Sequence, residues 1–139
     1  MTATIMMVTY NRLDLTKKTL EGLFKVTKYP FNLVVVDNAS KDGTVEYLNN
    51  FCNSIKKDDF KFRIKENSEN KGIGIGRNQC LAICDTPPFD TKWLATLDND
   101  VLVPDGWLTE CINIITANPQ YGSIGVNMEN TQYPIVGLQ

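Results

Sequence analysis

Apolar and polar positions along this chain switch repeatedly between a strand pattern and a helical one. Ala3 to Val8 is a short apolar run and predicts a first strand. Asp14 then opens a helix as an N-cap, with Leu13, Leu20, Leu23 and Phe24 as its apolar stripe. Tyr29-Pro30 ends it. Phe31 to Val36 lacks polar alternation after Asn32, as suits a strand covered on both faces. A turn from Asp37 to Gly43 leads to a helix with Val45, Leu48, Cys52 and Ile55 on one side, and Asp42 is placed to cap it. Phe60 to Lys65 alternates, with Phe60, Phe62 and Ile64 facing one way and Lys61, Arg63 and Lys65 the other. That is a half-exposed strand whose basic face protects a sheet edge.

Asn70 to Gly76 reads as a glycine-rich turn into a helix carrying Cys80, Leu81 and Cys84, followed by a surface loop from Asp85 to Asp90. Trp93 to Leu97 is an apolar run that predicts a buried strand. Pro104-Asp105-Gly106 opens a helix with Leu108, Cys111, Ile112 and Ile115 toward the core, and Tyr121 to Val126 predicts one more strand. The last dozen residues show no period. Strands alternating with helices predict an α/β fold: a mainly parallel sheet, helices on both faces, and sites on the loops after the strands.

Composition narrows the function classes. The 139 residues suffice for a single domain. The net charge of −2 is spread along the chain, which argues against a nucleic-acid surface. No apolar stretch is long enough to span a membrane, and no signal peptide is visible; a cytoplasmic location, with room for peripheral membrane contact, is expected. Four cysteines without a Cys-x-x-Cys pair, and no histidine, exclude a zinc site and read as small buried hydrophobes in a reducing compartment. Without histidine, a general base must be Asp, Glu, Lys, Tyr or Cys.

Four post-strand loops are strongly polar: Thr9-Tyr10-Asn11-Arg12, Asp37-Asn38-Ala39-Ser40, Asn70-Lys71-Gly72 and Asp98-Asn99-Asp100. The last sets two carboxylates one residue apart at the end of a strand. Hard oxygen donors there suit Mg²⁺ or Mn²⁺ bridging to a diphosphate. Each feature also has a plainer reading. Asp37 can cap a turn, Asp98 and Asp100 can form an acidic turn, Arg77 can be a solvated helix residue, and Trp93 and Trp107 can be packing residues. Gly72-Ile-Gly74-Ile-Gly76 is not a dinucleotide fingerprint, because Arg77 stands where its last glycine belongs, and no P-loop is present.

Taken in order, five segments resemble the nucleotide-binding half of a family 2 GT-A glycosyltransferase. They are Val8 to Arg12, Val34 to Thr44, Asn70 to Asn78, Leu97 to Asp100, and Pro104 to Leu108. The resemblance implies a GT-A, Rossmann-like fold that is cut short, with residues 1–139 as one nucleotide-sugar-binding domain. It implies that Thr9, Tyr10, Asn11 and Arg12 lie around the nucleoside of a UDP-sugar. Asp37, beside Asn38, would accept a hydrogen bond from the base. Gly72 would let backbone approach the nucleotide, and Arg77 would reach base or phosphates. Asp98 and Asn99 would lie near the ribose, with Asp100 as metal ligand and Asp98 close to it. A bound Mn²⁺ or Mg²⁺ would assist departure of the nucleoside diphosphate. Inversion at the anomeric carbon is also what the family implies.

The acceptor is open between glycan, lipid and protein. The only acids after Asp105 are Glu110 and Glu129, and neither stands where the family's base is expected. The alternatives are therefore a sugar-nucleotide-binding remnant without turnover or, more remotely, a nucleotidyltransferase-like domain. A shortened sheet would expose apolar surface, which predicts self-association.

Overall fold

A computed structural model describes residues 2–89 and 91–126. The elements in chain order are β1 (Thr2–Thr9), α1 (Leu13–Val26), β2 (Phe31–Asp37), α2 (Thr44–Ser54), β3 (Phe62–Glu66), α3 (Gly72–Cys84), β4 (Thr91–Thr96) and α4 (Trp107–Ala117). The strands form one parallel sheet in the order β3-β2-β1-β4. The chain steps outward from β1 to β3, then returns to the other side of β1 for β4. With right-handed crossovers, that reversal sends α3 to the opposite face from α1 and α2.

Strand alternation supplies both cores. Ala3, Ile5, Met7, Leu33 and Val35 pack against Leu20 and Leu23 of α1, Leu48 and Cys52 of α2, and Trp107, Leu108 and Ile112 of α4. Met6, Val34 and Val36 face the other way, onto Cys80 and Cys84 of α3. β2 is buried along its whole length, as expected for a central strand covered on both faces. β3 is an edge strand, and Arg63 and Lys65 are exposed on it. At the end of the sheet away from the loops after the strands, Phe24, Phe31, Phe51 and Phe60 meet edge to face, with centroids 5.0–6.2 Å apart.

Several expectations need correction. α1 begins at Leu13, so Asp14 lies in its first turn and is not its N-cap. The cap comes from another loop: Leu13 N–H donates to Asp42 Oδ2 at 2.9 Å. The helix after β3 starts at Gly72, so Gly74 and Gly76 are helical and not part of a turn. A Cβ on Gly76 would stand 2.8 Å from Val8 Cγ1, so this glycine serves close packing of α3 on β1. Leu81 is exposed, although Cys80 and Cys84 beside it are buried. β4 is not buried; it is the edge of the described sheet opposite β3, its burial alternates, and Leu94 is 42% exposed. Residues 121–126 form no strand. Among the described residues no sheet neighbour pairs with them, and Ile124 to Val126 share a groove with Trp107, Cys111 and Ile114 of α4. Glu129 and the final residues lie outside the described range. No helix among the described residues is long and apolar enough to cross a membrane.

Candidate functional site

The strand register brings the polar loops to one edge. Thr9 pairs with Asp37 and Asp37 with Glu66, so β1, β2 and β3 end level. Leu97 N–H donates to Met6 O at 3.0 Å, which delivers Asp98 to Asp100 beside the end of β1. The sheet reverses its order between β1 and β4, and such a switch point is where open α/β sheets place their ligand sites.

The candidate residues separate into two layers. The lower layer is buried. Asp37 has no exposed surface, and its carboxylate accepts from Thr9 Oγ1 at 2.8 Å, Ser40 N–H at 2.8 Å and Ser40 Oγ at 2.5 Å. Asn38 is also buried: its Nδ2 donates to Gly72 O at 3.2 Å, and its Oδ1 accepts from Asn67 Nδ2 at 2.9 Å. Asn67 Nδ2 also donates to Gln79 Oε1 at 2.8 Å, and Gln79 Nε2 returns a bond to Asn67 Oδ1 at 3.0 Å. This amide cluster joins the ends of β2 and β3 to α3. In this geometry Asp37 and Asn38 hold loops, the plainer of the readings open to Asp37.

The upper layer is exposed and charged. Arg12 Nη1 lies 2.9 Å from Asp100 Oδ2, and Arg77 Nη2 lies 3.0 Å from Asp98 Oδ1. Asn99 turns inward and donates from Nδ2 to Thr16 Oγ1 at 3.1 Å, which anchors the acidic turn on α1. Tyr10 is half exposed at the rim. Gly72 is exposed with a φ of +81°, a conformation that favours glycine, at the entry to α3.

Asn11 and Arg12 take left-handed φ values of 52° and 62°. Asn11 N–H donates to Ser40 Oγ at 2.7 Å, and Asn11 Oδ1 accepts from Lys41 N–H at 2.8 Å. Asp42 completes the link: besides Leu13 N–H, it accepts from Thr44 Oγ1 at 2.6 Å and Thr44 N–H at 3.2 Å. Burial raises its pKa, but the bonds from Thr44 and Leu13 outweigh that and hold it below the ordinary 3.8. One carboxylate thus ties the N-termini of α1 and α2 together, where its negative charge is also favoured by the helix dipoles.

The donor set fits a divalent cation shared with a ligand. Asp98 and Asp100 offer hard, exposed oxygens, and among the described residues one oxygen of each accepts no hydrogen bond. Among the described residues no group of three or more His, Cys, Asp or Glu converges on a metal position. A cation here would take its remaining ligands from phosphate and water, which is the usual habit of Mg²⁺.

The sequence reasoning missed Ser40, Asn67 and Gln79 as organisers of this edge. Asn67 is the first residue after β3, and that post-strand position is the signal it carries in the sequence.

Solved structures resemble this fold. S. aureus TarS 1–349 matches with a TM-score of 0.69 and 22% identity, over 86% of this chain and 33% of that one. Its complex with UDP matches with a TM-score of 0.70. The mannosyltransferase PcManGT from Pyrobaculum calidifontis, in complex with GDP-Man and Mn²⁺, gives 0.70 and 24% identity over 81% of this chain and 32% of that one. The chain thus spans about a third of the length of these proteins. No curated protein sequence matches it. The family model for glycosyl transferase family 2 matches residues 4–134, nearly the whole chain, and the chain belongs to that family.

Proposed function

We propose that residues 1–139 form the nucleotide-sugar donor domain of a glycosyltransferase that uses a UDP-sugar. The observation that carries this reading is the meeting of Arg12, Arg77, Asp98 and Asp100 at the sheet's switch point. Two guanidinium groups can grip a diphosphate through paired charge-assisted bonds. Asp98 and Asp100 can hold Mn²⁺ or Mg²⁺, which when bound supplies Lewis-acid neutralisation of the departing nucleoside diphosphate. Tyr10 at the rim offers a flat ring to the base. Thr9, Asn11, Asp37 and Asn38 set the backbone on which the base rests. Asn99 and Gly72 fix the two walls.

UDP occurs in one related structure and GDP-Man with Mn²⁺ in another, and both fit such a donor site. A second reading is donor binding without turnover, and it rests on the acid described after Asp105, Glu110, which lies on α4 and not where the family's base is expected. The acceptor, whether glycan, lipid or protein, would then meet residues beyond those described. A cytoplasmic setting and self-association through the β4 edge belong to the same proposal.

Calorimetry of UDP with Mn²⁺ and with EDTA tests the donor site. Binding that needs the cation is expected, and absence of binding in both conditions refutes it. Hydrolysis of a panel of sugar nucleotides then separates turnover from binding alone.

A further inference from the structure

This inference rests on the donor-site reading. Arg12 and Arg77 come from different elements, yet each closes on one member of the same acidic pair, at 2.9 and 3.0 Å. Two positive and two negative groups cancel at this edge of the sheet. Arg12 is kept there against backbone preference: it and Asn11 occupy the left-handed region in succession, which costs non-glycine residues energy. The turn persists because Ser40, Lys41 and Asp42 bond to it from the neighbouring loop. Strain held by surrounding bonds marks a position where placement matters. Arg12 occupies the N-cap position of α1 but makes no side-chain cap. Its side chain reaches Asp100 instead, 88 positions along the chain.

Both ion pairs are solvent-exposed, with side chains 36–57% accessible. Such pairs are weak and exchange readily. A cation entering alone either stops at the one free oxygen of each carboxylate or displaces both guanidinium groups, and in both cases it sets a new positive charge beside them. A nucleoside diphosphate entering alone meets arginines already neutralised, beside two carboxylates that repel it. When both enter, the carboxylates face the cation, the arginines face the phosphates, and every charge has a partner. The geometry points to Arg12 and Arg77 as exchangeable counter-ions. They hold Asp100 and Asp98 in this structure and pass to the diphosphate when a divalent cation takes their place, so nucleotide and cation binding are coupled.

The test measures Mn²⁺ binding by electron paramagnetic resonance and UDP binding by calorimetry, on the full chain and on Arg12→Gln and Asp100→Asn. In the unaltered chain, saturating UDP should tighten Mn²⁺ by about tenfold, a usual size for coupling between sites. Arg12→Gln should bind Mn²⁺ alone up to about fivefold more tightly, the scale of an exposed ion pair. The same variant should bind UDP with Mn²⁺ about tenfold more weakly, through loss of a charged hydrogen bond. Asp100→Asn should lose the Mn²⁺ response yet bind UDP in EDTA more tightly, because Arg12 is released. Opposite signs in one variant cannot come from a loosened fold, which would weaken both ligands. If the unaltered chain binds UDP with Mn²⁺ but Arg12→Gln leaves its affinity for Mn²⁺ alone unchanged or weaker, the exchange is overturned and the donor site stands. UDP binding that ignores Mn²⁺ overturns the exchange as well. If the unaltered chain binds no UDP at all, both readings fall.

Discussion

Gly74 and Gly76 lie two residues apart in α3 and should answer the same substitution with opposite signs. Gly→Ala in a helix interior gains about 1 kcal/mol in propensity. At Gly74 a Cβ meets nothing within 4 Å, so Gly74→Ala keeps most of that gain. At Gly76 the new Cβ would stand 2.8 and 3.0 Å from the two methyls of Val8 and 3.5 Å from its Cβ. Val8 is β-branched, with restricted rotation about χ1, and lies in the central strand β1. It cannot turn aside, so α3 must lift. Overpacking of this kind costs about 1–3 kcal/mol. Net of propensity, Gly76→Ala should lose up to about 2 kcal/mol, while Gly74→Ala gains up to about 1 kcal/mol. For a domain of this size the two should separate by several degrees in Tm, at about 3 °C per kcal/mol. Urea unfolding at 25 °C, followed by circular dichroism, gives the free energies directly. The lift also moves Arg77, the next residue, away from Asp98, so Gly76→Ala should weaken UDP binding where Gly74→Ala does not. If Gly76→Ala proves as stable as Gly74→Ala, the close packing of α3 on β1 is refuted.

Asp42→Ala should cost about 1–2 kcal/mol in urea unfolding at pH 7, since it removes the cap of one helix and the brace of another. Because the folded pKa of Asp42 lies below its ordinary 3.8, its contribution is present above that pH and lost as pH falls through the folded value. The variant should therefore differ from the parent at pH 7 and converge with it near pH 2; an equal gap at both would contradict this. Burial pushes the Cys52 thiol up to about 12 and Cys80 and Cys84 to about 11, with the neighbouring Cys84 and Asp85 adding to these last two respectively. At pH 8 all three should react with a thiol reagent only at the rate of unfolding, with half-buried Cys111 reacting first. Four equally fast thiols would refute that burial. Asn67→Ala should destabilise by about 1–3 kcal/mol by leaving Asn38 and Gln79 partners unmet, and thermal melting alongside UDP calorimetry should show both losses.

Much of this architecture was legible along the chain. Phe31 to Val36 suited a strand covered on both sides, and β2 is that strand. The basic face of Arg63 and Lys65 marked an edge, and β3 is one. Family membership was legible too, because five short segments in order carry more information than any one of them. The errors share a cause. Trp93 to Leu97 and Tyr121 to Val126 have strand-like composition, but burial and pairing depend on neighbours. β4 has no described neighbour on its outer edge, and residues 121–126 pair with no strand among the described residues. Gly76 looked like a turn glycine because sequence alone does not reveal which backbone lies beneath it.

Local chemistry was enough to write the elements, the alternation of strand and helix, and the acidic pair after β4, since periodicity and turn propensity act between near neighbours. Only the tertiary structure could decide that Asp37 and Asn38 are sealed beneath the surface, that Asp42 caps a helix 29 positions earlier, and that Asp98 and Asp100 are held by Arg77 and Arg12. Those outcomes depend on which loops the sheet order brings together. Partners separated by 29 or 88 positions leave no periodic mark on the sequence.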